Sequence, residues 1–169
     1  MDKKNNIILI GFMGVGKSTV AQRLGELLNK EVVSTDILIE KEEGRSIPEI
    51  FKSSGEPYFR KIETKIVKQI SSRHNLIIDC GGGVVLNPEN VSNLKKNGIL
   101  ICLTASVDII YERVKFDTNR PLLKVADPKK EIRRLLEFRM PFYNQADYIV
   151  PTDKKTIDEV CAAIIKLYN

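Results

Sequence analysis

Short apolar runs alternate with amphipathic segments along most of this chain. Ile7–Ile10, Glu31–Ser34, Leu76–Asp79, Ile99–Leu103 and Tyr148–Val150 predict five strands. Between them, Thr19–Leu28, Phe59–Ile70, Pro88–Lys96, Val107–Val114, Lys130–Phe138 and Ile157–Leu167 carry apolar residues at i, i+3 and i+4, the spacing of a helix with one buried face. The first four runs lack polar alternation, as expected of strands covered on both faces. Strand-helix alternation of this kind predicts right-handed crossovers and a parallel sheet, hence an α/β domain of three layers and five strands.

Two stretches interrupt the alternation. Residues 36–60 hold only short helical pieces, Ile37–Glu42 and Pro48–Lys52, and then the turn-forming run Ser53-Ser-Gly-Glu-Pro57. Residues 115–128 run through Asn119-Arg120-Pro121 to Asp127-Pro128. Connections longer than about 12 residues are usually functional or disordered. The two stretches are therefore expected to be an acceptor-binding insert (about 36–62) and a lid (about 115–128) within one domain spanning 1–169.

Composition narrows the class. With 43% hydrophobic and 29% charged residues in 169, the chain has the make-up of a soluble domain with a sizeable core. The apolar run Ile7–Val15 follows Lys3 and Lys4, but Gly11 and Gly14 interrupt it and no small-x-small cleavage site follows. No run approaches the roughly 18 apolar residues of a membrane span, so a cytoplasmic location and no membrane partner are expected. Cys80, Cys102 and Cys161 form no C-x-x-C pair, which supports neither a disulfide framework nor a zinc site. The single histidine, His74, lies in a polar turn and is expected to be solvated. Residues 113–139 contain nine Lys/Arg and four Asp/Glu, which equals the net charge of +5. Such a segment suits either nucleic acid or a polyanionic small ligand.

The motif Gly11-Phe-Met-Gly-Val-Gly16-Lys17-Ser18 decides between them. It matches G-x-x-x-x-G-K-[ST], follows a predicted strand and opens a predicted helix. Its glycines let backbone N–H groups approach phosphates closely, and the helix N-terminus favours anions. Lys17 can reach the β- and γ-phosphates, the Ser18 hydroxyl can ligate Mg²⁺, and Thr19 lies near the α-phosphate. Gly14, Val15, Gly16, Lys17, Ser18 and Thr19 are thus the expected ATP contacts, with ATP and Mg²⁺ as cofactors. Asp79-Cys-Gly-Gly82 has the D-x-x-G spacing of GTPases, but no N-K-x-D motif accompanies it.

Four further segments carry a resemblance. Ser34-Thr-Asp36-Ile-Leu-Ile-Glu40, Gly55-Glu-Pro-Tyr-Phe59-Arg60-Lys-Ile-Glu63, Gly81-Gly82-Gly83, and Arg120-Pro-Leu-Leu123 with Arg139-Met-Pro-Phe-Tyr143 resemble, in order and spacing, the shikimate kinase family. The resemblance runs from the phosphate loop to about residue 150. It implies the nucleoside-monophosphate-kinase-like P-loop fold with strand order 2-3-1-4-5, and transfer of the ATP γ-phosphate to the 3-hydroxyl of shikimate, a step of aromatic amino-acid biosynthesis. It also implies roles. Arg60 and Arg139 match the pair that binds the shikimate carboxylate, for which a guanidinium fork is suited. Asp36 matches the aspartate at the substrate hydroxyls, although an Asp before Ile37-Leu-Ile-Glu40 is also suited to capping a helix. Gly81, Gly82 and Gly83 match the backbone that meets the substrate, Arg120 the lid arginine at the transferring phosphoryl group, and Arg113 the arginine against adenine. Phe51 and Phe59 resemble the aromatic pocket walls, plain core packing being the alternative for Phe51. Glu63 is expected to pair with Arg60.

Two departures stand out. Where many members have Asp-x-Asp after the second strand, the first position here is Ser34. Asp79, at the end of the third predicted strand, is expected to take over the outer Mg²⁺ contact. Near residues 151–157, a proline expected to face adenine is replaced by Thr156-Ile157, which leaves Lys155 as an expected ATP contact. The rival readings are a kinase for another small hydroxy acid such as gluconate, and an ATP-dependent nucleic-acid-binding switch. No aromatic-basic interleaving favours the second. With no long apolar stripe left over, a monomer without nucleic-acid partners is expected.

Overall fold

The computed structural model describes residues 5–117 and 121–168. Five parallel strands, β1 (Asn6–Ile10), β2 (Glu31–Ser34), β3 (Leu76–Asp79), β4 (Gly98–Thr104) and β5 (Tyr148–Pro151), form one sheet in the order β2-β3-β1-β4-β5. Every residue of β1 and β3 is buried, which accounts for their unbroken apolar pattern: both sheet faces are covered by helices. At the sheet's edge, β5 buries only Val150.

The helices are α1 (Lys17–Leu28), α2 (Thr35–Glu43), α3 (Ile47–Ser54), α4 (Glu56–Ser71), α5 (Pro88–Asn97), α6 (Val107–Val114), α7 (Pro128–Tyr143) and α8 (Ile157–Tyr168). Their starts follow local chemistry. Ser46 and Glu49 form a reciprocal capping box at α3, and Thr156 and Glu159 exchange the same pair of bonds at α8. Asp127 accepts from Lys130 N before Pro128, which opens α7 where no N–H is required. Periodicity alone ends this helix at Phe138, yet it continues through Pro141 to Tyr143. Proline in the final turn forfeits one amide bond, to the carbonyl of Glu137, whose residue lies at the exposed surface. Tyr143 beyond it is nearly fully buried, so packing holds the last turn in place.

Two features of this frame position the site. Parallel strands direct all their C-terminal ends one way, and the order reversal at β1 opens a crevice there. Register also pairs Ser34 with Asp79 across β2 and β3, and Leu9 with Asp79 across β1 and β3. Residues far apart in sequence therefore meet at the strand ends.

Candidate active site

At one end of the crevice the chain leaves β1 into the phosphate loop. Gly11 has φ 141°, and a Cβ there would lie 2.3 Å from the Leu103 carbonyl oxygen, so only glycine fits where the loop crosses β4. Lys17 Nζ donates to the carbonyls of Gly11 (2.9 Å) and Phe12 (3.0 Å), spanning the loop it closes. Helix α1 starts at Lys17 with no side-chain cap, so its first-turn amides point into the cleft. Gly14, Gly16, Lys17, Ser18, Thr19 and Asp79 line this cleft of ≈ 470 Å³. Val15 is buried, and its carbonyl accepts from Thr152 Oγ1 at 3.3 Å. Arg113 Nη1 donates to the Gly14 carbonyl at 3.1 Å, which brings this guanidinium to the phosphate loop.

Ser18 Oγ donates to Asp79 Oδ2 at 2.6 Å, and Asp79 is buried at the strand end. A hydroxyl on a carboxylate offers hard oxygen donors, a chemistry suited to Mg²⁺. No cluster of three or more His, Cys, Asp or Glu occurs among the described residues.

A second cleft, of ≈ 560 Å³, adjoins the first and is lined by Asp36, Phe51, Phe59, Arg60, Glu63 and Arg139 among others. Its apolar wall includes Phe51 packed on Phe59 with the rings tilted by 46° and centroids 4.9 Å apart. Arg60, on α4, lies over the Phe59 ring and pairs with Glu63 at 3.0 and 3.1 Å and with Glu56 at 3.0 Å. Arg139, on α7, is only 4% exposed and sits over the Phe12 ring at 5.6 Å. Its buried Nε has no hydrogen-bond partner among the described residues. A buried guanidinium with an unsatisfied donor is a ready anion site, because the desolvation cost is already met by the fold and only the bond is missing.

The two clefts share Met13, Asp36, Ile37, Gly81 and Gly82. Their meeting point explains the triple glycine. A Cβ at Gly81 would lie 2.7 Å from Asp36 Oδ1, and one at Gly82 3.4 Å from Arg139 Nη1. At Gly83 it would lie 2.3 Å from Arg60 Nη2. Gly81 and Gly83 thus yield their side-chain space to Asp36 and Arg60, while at Gly82 Arg139 comes only to ordinary contact distance.

Burial leaves a signature on Glu63. Its side chain is 1% exposed, and desolvation pushes its carboxyl up to about 7, against the opposing pull of Arg60. Asp36 nearby pushes in the same upward direction. The thiol of Cys80, also buried here, is raised well above its ordinary value by desolvation, which makes it a poor nucleophile. Cys102 and Cys161 are likewise buried and reduced.

Asp36, Arg60, Gly81, Gly82, Gly83 and Arg139 are therefore assembled around one cleft, and Lys17, Ser18, Thr19 and Asp79 around its neighbour. Arg120 lies outside the described residues. Asp36 does not cap α2: Ser34 Oγ accepts from Ile37 N at 3.4 Å, and Asp36 occupies the first turn, where a negative charge suits the helix dipole. Lys155 is exposed in the loop before α8 and lines neither cleft. In place of a proline, Thr156 serves as the cap of α8 and lies beside Thr19 and Gln22 across a shallow cleft.

Two hydroxyls escaped sequence reasoning. Thr35 is fully buried, and its Oγ1 accepts from Gly81 N at 2.9 Å. Tyr143 Oη donates to the Gly82 carbonyl at 2.7 Å. Only their positions beside Asp36 and Arg139 could have singled them out.

Comparison with known proteins agrees with this geometry. A family model described as shikimate kinase matches residues 13–169. A shikimate kinase of Caldanaerobacter subterraneus subsp. tengcongensis is 47% identical, over 96% of this chain and 95% of that protein. Among solved structures, shikimate kinase from Acinetobacter baumannii in complex with shikimate superposes with a TM-score of 0.93 at 38% identity, covering 96% of this chain and 92% of that one. A gluconokinase from Sinorhizobium meliloti, at 15% identity and TM-score 0.60, shares the fold.

Proposed function

The chain belongs to the shikimate kinase family, and from that premise we propose that it transfers the γ-phosphoryl group of ATP to the 3-hydroxyl of shikimate. One observation carries the reading: the cleft holding Arg60 and the buried Arg139 opens directly onto the phosphate cleft at Asp36, Gly81 and Gly82. An acceptor gripped by its carboxylate at the two arginines has its ring directed toward the phosphate loop.

The parts then have definite work. Lys17 and the loop amides neutralise the β- and γ-phosphates, and Arg113 sits beside the loop for the base. Mg²⁺, with Ser18 and Asp79 as the residues that would hold it, supplies charge neutralisation on the phosphates. Asp36 orients the 3-hydroxyl and takes its proton as the oxygen–phosphorus bond forms and the bond to the β,γ-bridging oxygen breaks. Arg120 is assigned to the transferring phosphoryl group, in a lid spanning about 115–128. Gly81–Gly83 lets the acceptor approach the backbone.

Both clefts are lined by residues of a single chain, which supports the reading of the enzyme as a monomer. The basic residues of α7 are partly paired within the fold, Lys129 with Asp108 and Arg134 with Glu131, which favours a solvated face over a nucleic-acid surface. No described helix is long and apolar enough to cross a membrane; a biosynthetic role in the cytoplasm is proposed. The test is ADP release with Mg-ATP and shikimate, quinate, gluconate or a nucleoside monophosphate in parallel. Turnover with shikimate supports the assignment, whereas turnover with gluconate or a nucleotide alone overturns it.

A further inference from the structure

The Gly81–Gly83 turn has no side chains of its own, yet Asp36 and Arg60 press on it and Arg139 touches it. Arg60, Asp36 and Arg139 all lie within contact range of positions where Cβ atoms would stand. Glycine is the residue least able to hold a fixed conformation by itself. Something else must fix this turn to a fraction of an ångström, because positioning within that tolerance governs phosphoryl transfer.

Two hydroxyls from opposite sides do so. Thr35 Oγ1 accepts from Gly81 N at 2.9 Å, and the same hydroxyl faces the Asp79 carbonyl at 3.5 Å. From the other bank, Tyr143 Oη donates to the Gly82 carbonyl at 2.7 Å. A hydroxyl carries one proton and two lone pairs, so Thr35 can accept from Gly81 while directing its proton toward Asp79. Neither group has a solvent alternative: Thr35 is 0% and Tyr143 2% exposed.

The placement of these residues in the chain matters as much as their bonds. Thr35 immediately precedes Asp36, and both begin α2. One residue therefore sets the spacing between the aspartate and the glycine turn, by its backbone on one side and its side chain on the other. Tyr143 lies one helical turn beyond Arg139 on α7, so it sets the spacing between that arginine and the same turn.

We propose that Thr35 and Tyr143 are positioning residues that clamp the Gly81–Gly83 turn between Asp36 and Arg139, and so fix the acceptor geometry of the phosphoryl-transfer site. The proposal rests on the assignment of the second cleft to the acceptor. Burial raises the Tyr143 hydroxyl to about 12, so it remains a donor throughout the working pH range. Removing either hydroxyl while keeping the side-chain volume deletes the turn's hydrogen bond on that side, and the half-buried turn relaxes away from Asp36 or Arg139.

The test uses Thr35→Val, Thr35→Ser and Tyr143→Phe in the full-length protein. Two readouts are needed: backbone amide exchange at Gly81–Gly83 without ligands, and steady-state kinetics with the acceptor and ATP varied separately. Thr35→Val and Tyr143→Phe are each expected to speed exchange at the turn by about tenfold and to raise the acceptor KM by about tenfold, the factor that loss of one such hydrogen bond implies. The KM for ATP stays within about twofold, as expected of a bond made only at the acceptor side. Thr35→Ser, which keeps the hydroxyl, restores both readouts.

Unchanged exchange in both volume-conserving variants would overturn the clamp. So would equal increases in both KM values with no rescue by serine, which mark general loosening of the fold. Amide exchange reports on the turn whatever the acceptor is. Faster exchange with no turnover on shikimate in the unaltered protein would therefore contradict the substrate assignment and leave the clamp standing.

Discussion

The donor and acceptor ends of the crevice solve similar problems by different means. The donor end binds polyanionic phosphate largely with backbone: a contiguous loop, a helix N-terminus, and one lysine anchored on the loop's own carbonyls. The acceptor end gathers side chains from α2, α4 and α7 around a glycine turn, with Glu63 and Arg139 buried and Arg60 paired to Glu63. A backbone cradle is indifferent to most side chains but depends wholly on its geometry. A side-chain cluster is specific, and it depends on every member.

That contrast can be pressed by substitution. The largest effect is expected from Lys17→Ala, which removes the loop's own cation from the donor end: kcat should fall by about 10³-fold or more with whichever acceptor is used. Next comes Arg139→Lys, which keeps the charge but loses the planar fork in a buried setting. The kcat/KM for shikimate should drop by about 10²-fold with KM for ATP little changed, as separate acceptor and donor titrations would show. A comparable loss in ATP affinity would mean that the two ends are not separable.

Asp79→Asn probes the donor end more gently. It keeps a hydrogen-bond acceptor for Ser18 but removes the charge, so the Mg²⁺ concentration for half-maximal rate should rise by about tenfold. An unchanged Mg²⁺ dependence would remove Asp79 from the metal's surroundings.

The smallest effect belongs to Glu63 and has a definite sign. Free, its carboxyl titrates at about 7 because burial disfavours its charge. A bound carboxylate at Arg60 adds a negative charge nearby and raises that value further. Binding then takes up protons above pH 7, so acceptor affinity weakens by a few-fold as pH rises through that value and is flat below it. In Glu63→Gln this dependence should vanish; its persistence would place the titrating group elsewhere.

The two ends also differed in how much of them could be read from sequence. The phosphate loop is local, and its spacing alone specifies its chemistry. The strands and the main helices were legible from apolar periodicity, including all five strands within a residue or so at each end. The helices α1, α4 and α7 begin earlier than periodicity implies, because their first turns are polar or proline-led and bury little. The acceptor end was legible only through resemblance, since nothing within residues 36, 60, 82 and 139 states that they meet. Register does: β2 and β3 pair Ser34 with Asp79, which sets Thr35 and Asp36 beside Cys80 and Gly81. Ser34 rather than Asp36 caps α2, because both residue types suit a cap and only backbone geometry chooses between them. Thr35 and Tyr143 went unseen because a buried hydroxyl bonded to backbone leaves no pattern in the chain.

The most direct test of the account compares shikimate with a neutral analogue in which the carboxylate is replaced by a hydroxymethyl group, for both the unaltered enzyme and Arg139→Ala. If the arginine pair reads the carboxylate, the unaltered enzyme should lose about 10³-fold in kcat/KM on the neutral analogue, while Arg139→Ala handles both acceptors almost equally badly. Equal turnover of the two acceptors by the unaltered enzyme would contradict the claim that buried side-chain charge at the acceptor end selects the substrate.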